Sequence, residues 1–254
     1  MNLLYDDILS VIFNFLKLRE IMRIEQICQK FLNLSRSIVY SGICNLKNVS
    51  NIEKFLKHHT FQSYDFRETE LTDNCLSFLR NNVRNKGNII NLSRCKNIIK
   101  GSDKFKYFEY VILNDCPNLT DACFKNLSEC KSISLNKYII RGKKIKYFEK
   151  CKKILLPKCY IRDDILKRFN NFKNLRIIDI SYCYLITDIG ILGLKNCKKI
   201  NICHCTKITT KGILELNCKI IIICACMQIN VNVKEVKTKM NCIIHGCTFF
   251  TYYP

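Results

Sequence analysis

Apolar and polar residues alternate along this chain in a unit that recurs from Tyr64 to Phe250. Clear copies are Phe108-Glu-Tyr-Val111-Ile-Leu113-Asn-Asp-Cys116, Leu175-Arg-Ile-Ile178-Asp-Ile180-Ser-Tyr-Cys183, Cys197-Lys-Lys-Ile200-Asn-Ile202-Cys-His-Cys205 and Cys218-Lys-Ile-Ile221-Ile-Ile223-Cys-Ala-Cys226. Each reads apolar-x-x-apolar-x-apolar-x-x-Cys. The central alternation has period two, so it predicts a short strand with one buried face. The predicted inward pairs are Ile90/Leu92, Val111/Leu113, Ile133/Leu135, Ile154/Leu156, Ile178/Ile180, Ile200/Ile202, Ile221/Ile223 and Cys242/Ile244. The closing position carries Cys95, Cys116, Cys159, Cys183, Cys205, Cys226 and Cys247, with Tyr138 in the remaining slot, at steps of 21 to 24 residues. So short and steady a period marks a repeat architecture in which each unit packs only on its neighbours.

A second phrase follows the first: Leu119-Thr120-Asp121, Ile161-Arg162-Asp163, Ile186-Thr187-Asp188 and Ile208-Thr209-Thr210. Thr or Asp there is placed to cap a following helix by accepting from its free backbone N–H groups. The helices expected are Ala122–Leu127, Ile165–Phe169, Ile189–Leu194 and Gly212–Leu216, each ending near a further cysteine: Cys130, Cys151, Cys197 or Cys218. L-x-x-L-x-L-x-x-C followed by I-T-D resembles the cysteine-containing leucine-rich repeat, with Tyr64-Asp-Phe66 and Leu71-Thr72-Asp73 as a degenerate first unit. That resemblance implies an α/β fold of about eight units. They would wind as a right-handed βα solenoid, a horseshoe with a parallel sheet on its concave face and helices outside.

Before the repeats the period changes. Leu9, Ile12, Phe13 and Leu16 fall at i, i+3, i+4 and i+7, one helical stripe, and Ile21, Ile24, Cys28 and Phe31 continue at spacings of three and four. Amphipathic helices confined to some 40 residues cannot bury both faces, so docking on a partner is expected. Leu4-Tyr5-Asp6-Asp7-Ile8-Leu9, Ile12-Phe13-Asn14-Phe15-Leu16 and Ile27-Cys28-Gln29-Lys30-Phe31 resemble the F-box, which usually reads L-P-x-E/D-I-L, I-F-x-x-L and V-C-K-x-W. Tyr5 replaces the usual Pro and loosens the start of the first helix. Phe31 replaces Trp and keeps a large aromatic. The organisation expected is a three-helix F-box-like module at 1–41, a helical linker at 42–63, repeats at 64–250 and a tail at 251–254.

An F-box followed by leucine-rich repeats resembles the substrate receptors of cullin-RING ubiquitin ligases. By that resemblance Leu4, Ile8, Leu9, Ile12, Phe13, Leu16, Ile24 and Phe31 would dock on a Skp-family adaptor. The repeats would hold a target protein on their concave face, at Asn91, Ile112, Asn114, Asn136, Leu155, Asp179, Ser181, Asn201, Ile222 and His245, while another enzyme transfers ubiquitin. The chain would act as a monomer within that complex. Such a mixture of polar and isolated apolar groups suits a protein-binding surface better than a dry small-molecule pocket. No Ser/His/Asp arrangement, phosphate loop or carboxylate pair is legible, so no catalytic residue and no cofactor is expected.

Composition adjusts this picture. Met1 to Asp7 carry two acids and no basic region, and the longest apolar run, Ile220 to Met227, falls short of the ~18–20 residues a spanning helix needs. A soluble cytoplasmic or nuclear protein, not a secreted one, is expected (in the host cell if the source is a virus), and the 18 cysteines read as reduced core thiols. Of the net charge of +21, residues before 45 contribute 5 basic against 4 acidic and the rest 37 against 17. The peak is Lys137 to Lys158, nine basic residues against Glu149 alone. Abundant Lys, Asn and Ile without Trp is the bias of an AT-rich genome, which places part of that charge on a merely solvated surface. The rival reading is a basic scaffold that binds nucleic acid or an acidic protein without ligase association. The cluster lacks the Arg-rich, Gly-rich or stacking-aromatic phrasing of a dedicated binder, so nucleic acid is not the expected partner. Cys203, Cys224 and His245 share one expected row, ~4.8 Å apart. Three ligands in a line make no tetrahedron, so no metal is expected there.

Overall fold

A computed structural model describes residues 2–45, 52–79, 87–226, 229 and 243–246. Within these, the side chains of 2–6, 42, 87–88, 143 and 243–246 are outside the description. The chain divides into two compact units, one of Met1–Ile112 with Cys116–Asn126, the other of Leu113–Asp115 with Leu127–Pro254.

The first unit opens with three helices, α1 (Asn2–Asn14), α2 (Leu18–Ile24) and α3 (Gln29–Ser37). Phe13 and Ile21 are buried among them, and Phe13 meets Phe31 edge to face at 5.8 Å. Then come β1 (Val39–Asn45), α4 (Ile52–His58), β2 (Thr60–Asp65), α5 (Asp73–Ser77), β3 (Gly87–Asn91), a 3₁₀ turn at Asp103–Tyr107 and β4 (Phe108–Ile112). Each of these strands pairs in parallel with the next. The stretch 42–63, expected as a helical linker, instead completes a β-α-β turn, so strand pairing starts before the first cysteine repeat. Beside the buried Cys44 and Leu56, the core around it is largely aromatic: Tyr40 stacks on Phe61 at 4.8 Å, and Phe61 meets Tyr64 at 6.0 Å. That composition hid the period.

The second unit holds β5 (Ser132–Ser134), β6 (Lys153–Leu155), β7 (Ile177–Asp179), β8 (Lys199–Asn201), β9 (Ile220–Ile223) and β10 (Ile243–Gly246), again each parallel to the next. Ile154, Ile178, Ile200 and Ile221 stand in register as one buried row. The inward pairs from Ile90/Leu92 to Ile200/Ile202 are buried as the alternation requires. Ile223 is half-buried, while Cys242 and the side chain of Ile244 lie outside the described residues. A period of 21 to 24 residues leaves room for one or two helical turns. They are α6 (Asp163–Leu166) and α7 (Asp188–Ile191), each running on into a 3₁₀ turn, and α8 (Thr210–Leu214). The helix expected at Ala122–Leu127 is a 3₁₀ turn, Asp121–Leu127.

The closing cysteines act as hydrogen-bond donors as well as filler. In the first unit Cys95 Sγ donates to the Phe66 carbonyl at 3.0 Å and Cys116 Sγ to that of Leu92 at 3.1 Å. In the second, Cys159, Cys183, Cys205 and Cys226 donate to the carbonyls of Leu135, Leu156, Ile180 and Ile202 at 3.1–3.4 Å. The carbonyls of Leu156, Ile180 and Ile202 also accept the backbone N–H of the cysteine in their own repeat. Both lone pairs of a buried peptide oxygen are thereby used. Leu could fill the space but could not donate.

The Thr-Asp phrase acts mainly between repeats, which corrects the capping expectation. Only Thr187 accepts a hydrogen bond at its own helix start, from Ile189 N–H at 3.2 Å; Thr72 and Thr209 do not. Instead Asp163 accepts from the Thr187 N–H and hydroxyl at 2.9 and 2.6 Å, and Asp188 from those of Thr209 at 2.8 and 2.6 Å. Asp73 likewise takes the N–H groups of Ile99, Lys100 and Gly101. Gly190 and Gly212 make room for these carboxylates, since a Cβ on either would collide with Asp163 or Asp188.

Candidate functional site

On α1 and the turn that follows it the structure separates two apolar stripes. Phe13 is 3% exposed, and Leu9 and Leu16 are half-buried on the same side. Ile8, Val11, Ile12 and Phe15 form the other stripe at i, i+3, i+4 and i+7, with Phe15 85% and Val11 59% exposed. Met22 and Ile27 add further exposed apolar surface. Of the residues expected to meet an adaptor, Ile8 and Ile12 are open, while Leu9, Leu16, Ile24 and Phe31 are half-buried. Phe13 is a core residue, and the side chain of Leu4 lies outside the described residues. Val11, Phe15, Met22 and Ile27 are exposed apolar residues outside the set expected from the sequence. The signal was present, because a helix apolar on both sides buries only one against its own fold.

The strand residues expected to meet a target are half-buried, apart from Ser181, which is buried, and His245, whose side chain lies outside the described residues. Several are already engaged. In the second unit Asp179 accepts from the Ser181 N–H and hydroxyl at 2.8 and 2.6 Å and from the Asn201 amide at 2.9 Å. Asn201 accepts from Cys203 N–H, and Ser134 donates to Asn114 at 2.9 Å. In the first unit Asn91 accepts from Ser93 in the same way. Asn136 Oδ1 is buried without a hydrogen-bond partner. Leu155 and Ile222 supply apolar surface in the row of Asp179 and Asn201, and Ile112 does so in the first unit.

A third row was not foreseen. Among the described residues eight non-glycine positions hold φ between 52° and 63°: Glu68 and Arg94 in the first unit, and Asp115, Lys137, Lys158, Tyr182, His204 and Ala225 in the second. From Arg94 onward each directly precedes the closing position of its repeat, and Glu68 precedes Thr69, three residues after Phe66 as Cys95 stands three after Leu92. The left-handed backbone costs a side-chain-bearing residue about 1 kcal/mol or more. It aims the N–H of Lys158, Tyr182 and His204 at the carbonyl of Ser181, Cys203 or Cys224 in the following repeat, at 2.6–2.8 Å. Neighbours in the row then meet through their side chains. Glu68 pairs with Arg94 at 2.7 Å and Asp115 with Lys137 at 2.9 Å. Lys158 Nζ stands 5.0 Å from the Tyr182 ring centre, and Tyr182 stacks on His204 at 4.1 Å. A cleft of about 440 Å³ opens there, lined by Lys158, Cys159, Tyr160, Tyr182, Tyr184 and Leu185.

One cluster has the residue types of a catalytic site and the wrong order. Glu25 accepts from the Ser35 hydroxyl and contacts His59 Nε2 at 2.6 Å, while His59 Nδ1 faces the Phe55 carbonyl. The carboxylate stands between serine and histidine, so the imidazole does not address the hydroxyl as it does in a Ser-His-Asp triad. The cluster ties the helical module to α4. Among the described residues no group of three His, Cys, Asp or Glu could hold a metal ion, and no helix is long and apolar enough to cross a membrane.

No protein-family profile and no curated protein matches the sequence. Solved structures match by fold. The Toll chain of the Drosophila Toll–Spatzle complex is 13% identical at a TM-score of 0.52, over 82% of this chain and 29% of that one. An internalin of Listeria monocytogenes is 16% identical at 0.51, over 87% of this chain and 69% of its own. Rad7 in its complex with Elc1 from yeast is 16% identical at 0.44, over 80% of this chain and 62% of that one. This chain therefore spans less than a third of the Toll chain's length. Identities this low speak for architecture only, and the architecture is that of leucine-rich-repeat proteins.

Proposed function

We propose that the chain is the substrate-recognition subunit of a Skp/cullin/F-box type ubiquitin ligase. It docks on a Skp-family adaptor through its helical module and holds a target protein on the strand face of its repeats. The observation that carries this reading is the exposed stripe Ile8, Val11, Ile12 and Phe15 on a three-helix module that already has its own core. An apolar stripe left over after folding is a docking surface for a helical partner. The Leu-x-Asp-x-Ile-Leu phrasing of residues 4–9 supports the F-box as its kind. The strand face, with Asp179 and Asn201 pre-ordered by hydrogen bonds and Leu155 and Ile222 beside them, supports a protein target. In this role the chain makes and breaks no bond, and ubiquitin transfer belongs to its partners.

Affinity capture tests the proposal. Ile12→Asp with Phe15→Asp, both at exposed positions, is expected to lose adaptor and cullin while retaining the captured target and the wild-type melting temperature. Asp179→Arg is expected to do the reverse. Equal recovery of adaptor by wild type and the double variant would sink the assignment.

A further inference from the structure

The tyrosine cleft of the second unit is not used by the adaptor reading and stands independently of it. Left-handed backbone at Lys158 and Tyr182 brings the two side chains together across neighbouring repeats. Tyr182 has His204 stacked on its ring and Lys158 within reach of the same ring, so its aromatic surface is largely taken. Tyr184 crosses it edge-on at 6.5 Å, 86° from parallel. Tyr160 and Tyr184 remain 57% and 54% exposed. Tyr138 adjoins Tyr160 in the preceding repeat, whose carbonyl accepts the Tyr160 N–H at 2.8 Å. Tyr160 and Tyr184 thus present exposed rings in the same cleft as Lys158.

The lining chooses the ligand. Lys158 already holds the cation's place by Tyr182, so a ligand ammonium would be repelled. No carboxylate lines the cleft. Of those nearby in sequence, Asp163 and Asp188 are held by threonines of the following repeats, Asp179 by Ser181 and Asn201, and Asp164 faces Arg162 at 3.8 Å. Flat free rings beside an uncompensated cation match a flat, anionic chain. Successive repeats lie ~4.8 Å apart, which suits a ligand offering one ring per step. The net charge of +21 favours a polyanion over a single small anion. An acidic peptide would satisfy Lys158 and leave the tyrosine faces without flat partners.

We propose that this cleft seats a base of single-stranded nucleic acid against Tyr160 and Tyr184, with the adjoining phosphate at Lys158. Base stacking on aromatic side chains is tolerant of sequence, so any single strand is expected to bind.

Fluorescence anisotropy with a short labelled oligouridylate tests this on the intact chain. An abasic ribose-phosphate strand of equal length is expected to bind about tenfold more weakly, because it keeps the charge and loses the rings. Tyr160→Ala with Tyr184→Ala should cost a similar factor, and the corresponding Phe pair should restore it. Lys158→Gln should weaken binding and flatten its salt dependence, while Lys167→Gln, at an exposed position outside the cleft, should leave both unchanged. Three results would overturn the proposal: equal affinity for the abasic strand, full affinity in the alanine pair, or displacement of the oligonucleotide by polyglutamate at equal charge concentration. The abasic comparison uses the wild-type protein and so does not depend on the variants folding.

Discussion

At the scale of the residue, cysteine at the closing position combines two properties that no other small apolar residue shares. It fills a tight core site, and it donates to a peptide oxygen of the preceding repeat. Burial pushes the Cys205 thiol up from its ordinary value of 9.0 to about 12, with Cys159 and Cys197 shifted alike. The sign of the linkage follows. Above pH 9 the unfolded chain releases these protons and the folded chain keeps them, so their contribution is full below pH 9 and is lost as pH rises toward 12. Each thiol is worth on the order of 1 kcal/mol per pH unit in that window. The melting temperature should therefore fall steeply above pH 9, and Cys205→Val should shallow that fall while losing about 1 kcal/mol at neutral pH in urea unfolding. A flat alkaline profile in the wild type would contradict this account.

At the scale of the element, the short helices owe little to propensity. Four or five residues cannot sustain a helix alone. What positions α7 and α8 is the Asp of the preceding repeat, which binds the incoming Thr and requires glycine two residues after the following Asp or Thr. Gly190→Ala should force Asp163 off Thr187 and cost about 1–3 kcal/mol, read as a lower urea midpoint. Ile189→Ala, on the exposed face of the same turn, should cost under about 0.5 kcal/mol. Equal losses would mean that the close approach is not what selects glycine. The first helix obeys the same logic of neighbours. Its two apolar stripes are equally plausible in sequence, and packing against α3 and β1 decides that Phe13 turns inward and Phe15 outward.

At the scale of the whole molecule, an excess of 21 positive charges works against any compact state. Exposed ion pairs such as Lys150–Glu129 and Arg94–Glu68 offset little of it, because exposed pairs are each worth under about 1 kcal/mol. Raising NaCl from about 0.02 to about 0.3 M should therefore raise the melting temperature, because screening weakens the net repulsion more than it weakens these few pairs. A fall with salt would show that the pairs dominate instead.

Much of the repeat architecture was legible in the sequence. Period-two alternation dictates which residues of each strand turn inward, because successive side chains on an extended backbone must point to opposite faces. The cysteine spacing then counted the repeats and sorted core from surface from Ile90 to Ile202. It failed before Tyr64, where Tyr40 and Phe61 do the work of aliphatic residues. Only the tertiary structure decided where each thiol and Thr-Asp pair finds its partner, which stripe of α1 stays exposed, and that Lys158, Tyr182 and His204 meet. Those outcomes rest on contacts between residues some 18 or more positions apart, or on left-handed backbone at residues that give no sign of it. Lys158 and Tyr182 look like ordinary turn residues until the neighbouring repeat supplies the carbonyls that hold them.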